Sequence, residues 1–218
     1  WIKKYSKIKE SSFNDDVSIK WFSDGSLNVS ENCIDRHLKE RGDKVAIIWQ
    51  GDEPEECKKI TYKELHKEVC KLANGLKSLG VKKGDRVTIY LPMIPEAAYA
   101  MLACSRIGAI HSVVFGGFAP DSLKDRVIDC SSNTIITANE GVRGGRKIPL
   151  LSNVREAIQG LEIVKNVIVV NRTSEETMFS DKEISYTSLT SEQPEVCSVV
   201  EQNSEDPLFI LYTSGSTG

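Results

Sequence analysis

No run in this sequence approaches the ~18 apolar residues that a membrane-spanning helix needs, so no membrane partner is expected. There is no basic surplus either. Lys and Arg number 28 against 31 Asp and Glu, a formal charge of −3, which argues against nucleic acid as a partner. The 6 cysteines form no Cys-x-x-Cys pair. Several fall inside apolar helical patterns, where a free cysteine behaves as a small hydrophobe, and a reduced, cytosolic compartment is expected. Histidine is scarce, at 3 residues, and no Ser/His/Asp constellation can be assembled. Trp1-Ile-Lys-Lys-Tyr5 lacks the apolar core of a signal peptide, and the chain does not begin with Met. Cys33/His37 and His66/Cys70 each sit four apart, as zinc ligands on a helix can. Nothing in the sequence brings the two pairs together, so packing and surface roles are favoured for them. There is no internal repeat.

What is present is most pointed at the end of the chain. Leu208 to Tyr212 is an unbroken apolar run opened by Pro207, which predicts a buried strand. Thr213, Ser214, Gly215, Ser216, Thr217 and Gly218 follow, all hydroxyl residues and glycine. Glycines let successive N–H groups face one point, and hydroxyls add donors, so a strand emptying into such a loop is a phosphate cradle. The Gly-Lys-Ser/Thr step of a Walker A loop is missing. A flexible Gly/Ser linker is the alternative, but a linker needs no buried strand before it.

Upstream, residues 1–27 are polar with scattered aromatics, Trp1, Tyr5, Phe13, Trp21 and Phe22, and predict an arm that docks by its rings. A helix is expected over Asn28–Leu38, capped by Asn28 or Ser30. Val45–Gln50 and Lys59–Thr61 read as strands, with the acidic turn Gly51–Glu56 as a solvated tip between them. Thr61 and Glu64 form a capping box before the period Leu65, Val69, Leu72, Ala73, Leu76, Leu79. Strands at Val87–Leu91, His111–Phe115, Thr134–Ala138 and Val167–Val170 alternate with helices opened by Pro95 and Pro120 and a third marked by Val154–Leu161. The fold class is therefore α/β, with parallel sheets and helices on both faces, and ligands are expected beyond the carboxyl ends of the strands. Residues 171–206 are thin in apolar side chains and predict a long surface excursion.

Two further loops could carry chemistry. Phe115-Gly-Gly-Phe-Ala-Pro-Asp121 joins a strand to a helix, and Gly116 and Gly117 would let a ligand approach the backbone. A tight turn without a ligand fits the same residues. In Asn139-Glu-Gly-Val-Arg-Gly-Gly-Arg146, Arg143 and Arg146 flank Gly144 and Gly145. Each guanidinium can grip a phosphate by two parallel N–H bonds, although a solvated basic loop reads the same way. His111, at the start of a strand, is assigned a structural role rather than that of a base.

Tyr212-Thr-Ser-Gly-Ser-Thr-Gly218 resembles the phosphate-loop signature of the adenylate-forming enzymes. Trp21-Phe22, Leu27–His37, Val45–Trp49, Ile60–Leu65, Pro92–Glu96, Phe115-Gly-Gly-Phe118 and Val142-Arg-Gly-Gly-Arg146 resemble, in order and spacing, the acetyl-CoA synthetases within that group. The resemblance covers most of residues 21–170 and returns at 206–218. It implies an acetyl-CoA synthetase N-terminal segment, residues 1–59, and the N-terminal part of an AMP-binding domain, residues 60–218, both within the large domain of such an enzyme.

The resemblance implies a ligase that joins acetate to the α-phosphate of ATP, releases diphosphate, and passes the acetyl group from the adenylate to CoA. Thr213–Gly218 would hold the β- and γ-phosphates of ATP. Arg143, Arg146 and the glycines Gly116, Gly117, Gly144 and Gly145 would lie at the CoA nucleotide. Mg²⁺ would be required, with its ligands, the acetate pocket and the catalytic lysine beyond Gly218, so that this stretch is expected to be an inactive N-terminal fragment. A propionyl-CoA or other short-chain synthetase, and a non-catalytic nucleotide-binding module, remain as alternatives.

Overall fold

A computed structural model describes residues 1–14, 16–175 and 177–213. The chain opens with a hairpin, β1 (Lys9–Ser12) against β2 (Ser18–Trp21), followed by the short β3 (Ser26–Leu27). A π-helical turn, Glu31–Asp35, runs into α1 (Arg36–Arg41). The hairpin β4 (Val45–Gln50) and β5 (Cys57–Thr61) leads to α2 (Tyr62–Ser78). Next come β6 (Arg86–Tyr90), α3 (Pro95–Ile107), β7 (Ile110–Val113), α4 (Pro120–Asp129) and β8 (Thr134–Ala138). A second hairpin pairs β9 (Gly141–Arg143) with β10 (Arg146–Ile148). Then follow α5 (Leu150–Ala157), β11 (Asn166–Val170), β12 (Glu183–Ser185), α6 (Tyr186–Ser191), β13 (Gln202–Asn203) and β14 (Phe209–Ile210).

The central sheet has 6 strands in the order β12-β11-β8-β6-β7-β14. Every neighbouring pair is parallel. Its middle strands are apolar on both faces: Val87, Ile89, Ile135, Ile136, Val167, Ile168 and Val169 are all buried, as a sheet covered twice by helices demands. From β6 the chain crosses to β7 on one side, whereas from β8 it crosses to β11 on the other. With right-handed crossovers this reversal places α3 on one face and α5 on the opposite face. It also opens a crevice at the carboxyl ends of β6 and β8, where such sheets bind ligands.

Local chemistry explains the best-formed elements. Thr61 accepts the Glu64 backbone N–H at 3.2 Å while the Glu64 carboxylate accepts the Thr61 backbone N–H at 2.7 Å, so the expected capping box starts α2. Leu65, Val69, Leu72, Ala73 and Leu76 form its buried stripe. Pro95 and Pro120 each stand at the first turn of a helix, where the missing N–H costs nothing. Asn28 accepts the Glu31 N–H at 3.2 Å, which fits the expected cap, but the first helical turn is π rather than α.

Several expectations need correction. The excursion 171–206 is anchored to the fold: β12 extends the sheet, and Tyr186, Leu189 and Cys197 are buried. A Cβ at Gly75 would come within 2.9 Å of Leu189 Cγ, so the Leu189 side chain of α6 packs directly onto the backbone of α2. The expected buried strand 208–212 is ordered as strand only over Phe209–Ile210. It is an edge strand on β7, and Phe209 and Leu211 are 52% and 65% exposed. The helix expected at Val154–Leu161 begins earlier, at Leu150, and ends at Ala157. In the aromatic arm the rings of Trp1, Tyr5 and Phe22 meet one another at 4.5–5.4 Å, while Trp1, Phe13 and Trp21 are exposed.

Candidate nucleotide site

The crevice at the carboxyl ends of β6 and β8 is occupied by a cavity of about 350 Å³. Its walls come from four places. Leu91, Pro92, Met93 and Ile94 follow β6; Phe115, Gly116 and Gly117 follow β7; Gly141, Val142, Arg143 and Ile148 belong to the β9–β10 hairpin; Trp49 to Asp52 and Arg172 close the rim. Two of the glycine loops singled out in the sequence therefore face one space. Gly116 lies close to its neighbours: a Cβ would sit 3.3 Å from the Leu91 carbonyl oxygen and 3.4 Å from Leu150, a tight but not forbidden fit. The floor is apolar, and Arg143 supplies positive charge at the edge.

Arg143 and Arg146 stand directly opposite each other across the β9–β10 ladder. Opposed residues of an antiparallel pair project to the same face, so two guanidiniums share one side of the hairpin, a repulsive arrangement that an anion would relieve. Neither makes an ion pair among the described residues; Arg143 lies over the Phe115 ring, 5.6 Å from its centroid. Gly144 and Gly145 form the two-residue turn, with φ of 55° and 71°, a left-handed backbone that glycine takes without strain. Arg146 does not line the cavity. The sequence predicts a loop here, because three-residue strands are too short to display a period.

A polar frame fixes these pieces. Asn139, 6% exposed, donates to Thr173 Oγ1 at 3.1 Å and accepts the Arg172 and Glu140 N–H groups at 2.9 and 2.8 Å. It thus clamps the segment after β8 to the segment after β11. Lys147 pairs with Glu140 at 2.9 Å and Glu175 at 3.0 Å, which leaves Arg143 and Arg146 as the cations not consumed by the frame. On the other side Tyr90 donates to the Phe118 carbonyl at 2.7 Å and accepts from Asn153 at 3.1 Å, holding the Gly116–Gly117 turn.

Trp49, Asp52 and Arg172 were not found from the sequence. Trp49 donates to the Met93 carbonyl at 2.7 Å and carries Arg172 over its ring at 5.5 Å. The acidic tip Gly51–Glu56 is not merely solvated. Asp52 accepts the Gly145 N–H at 3.3 Å, and Glu56 takes both Arg172 nitrogens at 2.5 and 3.1 Å. The Arg172 hydrogen bonds hold the Glu56 carboxyl below its ordinary pKa.

Of the expected ATP loop, Thr213 is described and is exposed, and Ser214, Gly215, Ser216, Thr217 and Gly218 lie outside the described residues. β14 runs parallel to β7, with Phe209 beside His111, so the chain leaves it at the same sheet end as the Phe115–Phe118 turn. His111 is 8% exposed, and burial pushes its pKa down to about 4; it faces Phe209 and lines no described cavity. Of the paired Cys and His residues, Cys33 is an exposed free thiol and the other three have local contacts. His37 packs on Tyr62 at 5.1 Å, and His66 contacts both Cys70 and Asp35 at 3.5 Å. Among the described residues no group of three or more His, Cys, Asp or Glu is placed to hold a metal ion. No helix among them is long and apolar enough to cross a membrane.

A six-stranded parallel sheet with a cavity at its switch point defines an α/β protein of the kind that binds ligands beyond its strand ends. Residues 34–218 match the AMP-binding enzyme family, and the chain belongs to that family. Its first 33 residues match the acetyl-coenzyme A synthetase N-terminus. Among relatives, the chain is 62% identical over 220 residues to the acetyl-coenzyme A synthetase of Parvibaculum lavamentivorans, covering all of this chain and 34% of that protein. It is 59% identical over 222 residues to that of Shewanella frigidimarina, with the same coverage. The solved acetoacetyl-CoA synthetase from Streptomyces lividans superposes with a TM-score of 0.86 at 28% identity, over 97% of this chain and 32% of that one. The chain spans about a third of the length of the relatives it matches.

Proposed function

We propose that the full-length protein is an AMP-forming acetate–CoA ligase, converting ATP, acetate and CoA into AMP, diphosphate and acetyl-CoA through an acetyl-adenylate. The observation that carries the reading is the cavity that brings Gly116, Gly117 and Arg143 together at the switch point of the sheet. Its apolar walls suit a flat base, and the Arg143/Arg146 face of the hairpin suits the phosphates of the CoA nucleotide. Gly144 and Gly145 keep that turn low, so the phosphates can reach both guanidiniums. Thr213 to Gly218 would cradle the β- and γ-phosphates of ATP with backbone and hydroxyl donors. Mg²⁺ would be held by residues of the longer protein. Acetate as the acyl substrate is supported by the 57–62% identity to acetyl-coenzyme A synthetases. The same reading places the enzyme in the cytoplasm, in keeping with 6 free cysteines.

The test is acetate-dependent diphosphate release by the full-length protein with ATP and CoA. Release with acetate that exceeds release with propionate at equal concentration is expected. Equal or faster turnover of propionate would replace acetate by a longer acid, and no release with any short acid would overturn the ligase reading.

A further inference from the structure

Arg126 lies outside the glycine turns, yet it touches both Phe118, beside the Gly116–Gly117 turn, and Tyr212, in the strand end that follows β14. It sits on α4 and is 9% exposed. Its guanidinium lies 4.7 Å from the centroid of Phe118, the residue that closes the Gly116–Gly117 turn. It also lies 5.2 Å from the centroid of Tyr212, the last residue before the hydroxyl–glycine stretch. One nitrogen, Nη1, donates to the Ser122 carbonyl one turn back at 2.7 Å, which fixes the plane of the group. The Tyr212 hydroxyl donates to Asp129 Oδ2 at 2.5 Å and lies 3.4 Å from the Arg126 carbonyl oxygen, so its ring is held on the same helix.

The stack continues beyond Phe118. Phe118 meets Phe115 edge to face, at 5.8 Å and 83°. Phe115 in turn carries Arg143 at 5.6 Å. Ring, cation, ring, ring and cation thus run without a gap from Tyr212 to Arg143. A guanidinium between two aromatic faces is attracted to both, and most strongly where water is excluded. The arrangement fixes the two rings relative to one another.

We propose that Arg126 is a positioning residue that ties the strand entering the ATP phosphate loop to the turn at the CoA nucleotide cavity, through its stack between Tyr212 and Phe118. Its role is exercised through its contacts with Phe118 and Tyr212. The consequence is a coupling of two sites that a purely local role would not produce. Loosening Phe118 at the CoA side alters the set of Tyr212, and so the ATP side, even when no CoA is present. The naming of the two ligands rests on the ligase reading above; the physical link between the two segments does not.

The experiment uses the full-length protein with Phe118→Leu, Arg126→Lys and Tyr212→Leu. Arg126→Lys keeps the charge and removes the plane that stacks. The first readout is hydrogen exchange over residues 209–218, with β8 as the internal control. Phe118→Leu is expected to speed exchange over 209–218 by about tenfold while β8 stays protected. The second readout is acetate-dependent ATP–pyrophosphate exchange without CoA, where Phe118→Leu is expected to raise the KM for ATP by about fivefold. Phe118→Leu added to Arg126→Lys should cost less than the sum of the two single changes, since both break the same stack. Wild-type hydrogen exchange over 209–218, or an unchanged KM for ATP, in Phe118→Leu would overturn the link. If Arg126→Lys does not fold, Phe118→Leu and Tyr212→Leu give the same two readouts, because both side chains are partly exposed. If the wild-type protein performs no ATP–pyrophosphate exchange, the ligase reading fails and the hydrogen-exchange result alone decides the link.

Discussion

His111 and His66 draw stability in opposite directions along the pH scale. His111 is buried without a partner for Nδ1 among the described residues, and burial lowers its pKa to about 4. The unfolded chain, near ~6.5, then binds the proton more readily, so stability present above ~6.5 is lost as pH falls toward 4. His66 hydrogen-bonds Asp35 and contacts Cys70, which raise its pKa to about 9. Its contribution is complete below ~6.5 and disappears as pH rises through 9. Unfolding by urea should therefore show a stability maximum near pH ~6.5, with His111→Gln flattening the acid limb and His66→Gln the alkaline limb. Asp35 also takes both Arg106 nitrogens at 2.8 Å, while Arg106 Nε donates to the Cys197 carbonyl. Asp35→Ala would strand a buried guanidinium and is expected to cost about 3 kcal/mol in the same assay. At this scale the sequence was legible where glycine spacing carries meaning, as at Gly116 and Arg143. Trp49, Asp52 and Arg172 were not legible. Each alone reads as a core aromatic, a solvated tip or a surface arginine, and only the sheet order brings residues 49, 52, 145 and 172 to one rim.

The β9–β10 hairpin is the element that aims the two arginines. Around Gly144 and Gly145 nothing lies within 4 Å of an added Cβ, so replacing them meets no clash. The penalty is the left-handed backbone alone, about 1–2 kcal/mol for an L side chain. Gly144→Ala and Gly145→Ala should therefore lower the melting temperature by only a few degrees, about 2–4 °C per kcal/mol, and raise the KM for CoA severalfold. A large loss of thermal stability would mean that the hairpin is a structural brace instead. Thr61→Ala removes the capping box of α2 and is expected to cost about 1 kcal/mol in urea unfolding. α2 was legible because its 17 residues hold a period of 3.6 between two clear signals. β12, α6 and β14 were poorly legible, because elements of 2–6 residues display no period, and tertiary packing against β11, α2 and β7 respectively defines them.

At the scale of the molecule, the alternation of strands and helices gave the parallel sheet, and the reversal of crossover direction puts the cavity between β6 and β8. The site is then completed by the β4–β5 hairpin, which belongs to neither strand and could not be placed from its sequence. Residues 1–218 alone should release no diphosphate from ATP and acetate, since the resemblance assigns the acetate pocket and catalytic lysine to later residues. Acetate-dependent release that vanishes with Ser216→Ala would contradict this. The central claim is that Arg143 and the two glycine turns grip the CoA nucleotide and not ATP. The most direct measurement compares wild-type and Arg143→Ala full-length protein in the two half-reactions. Arg143→Ala is expected to raise the KM for CoA by about tenfold, and that for dephospho-CoA by less, while ATP–pyrophosphate exchange changes little. Equal damage to both half-reactions would contradict the account.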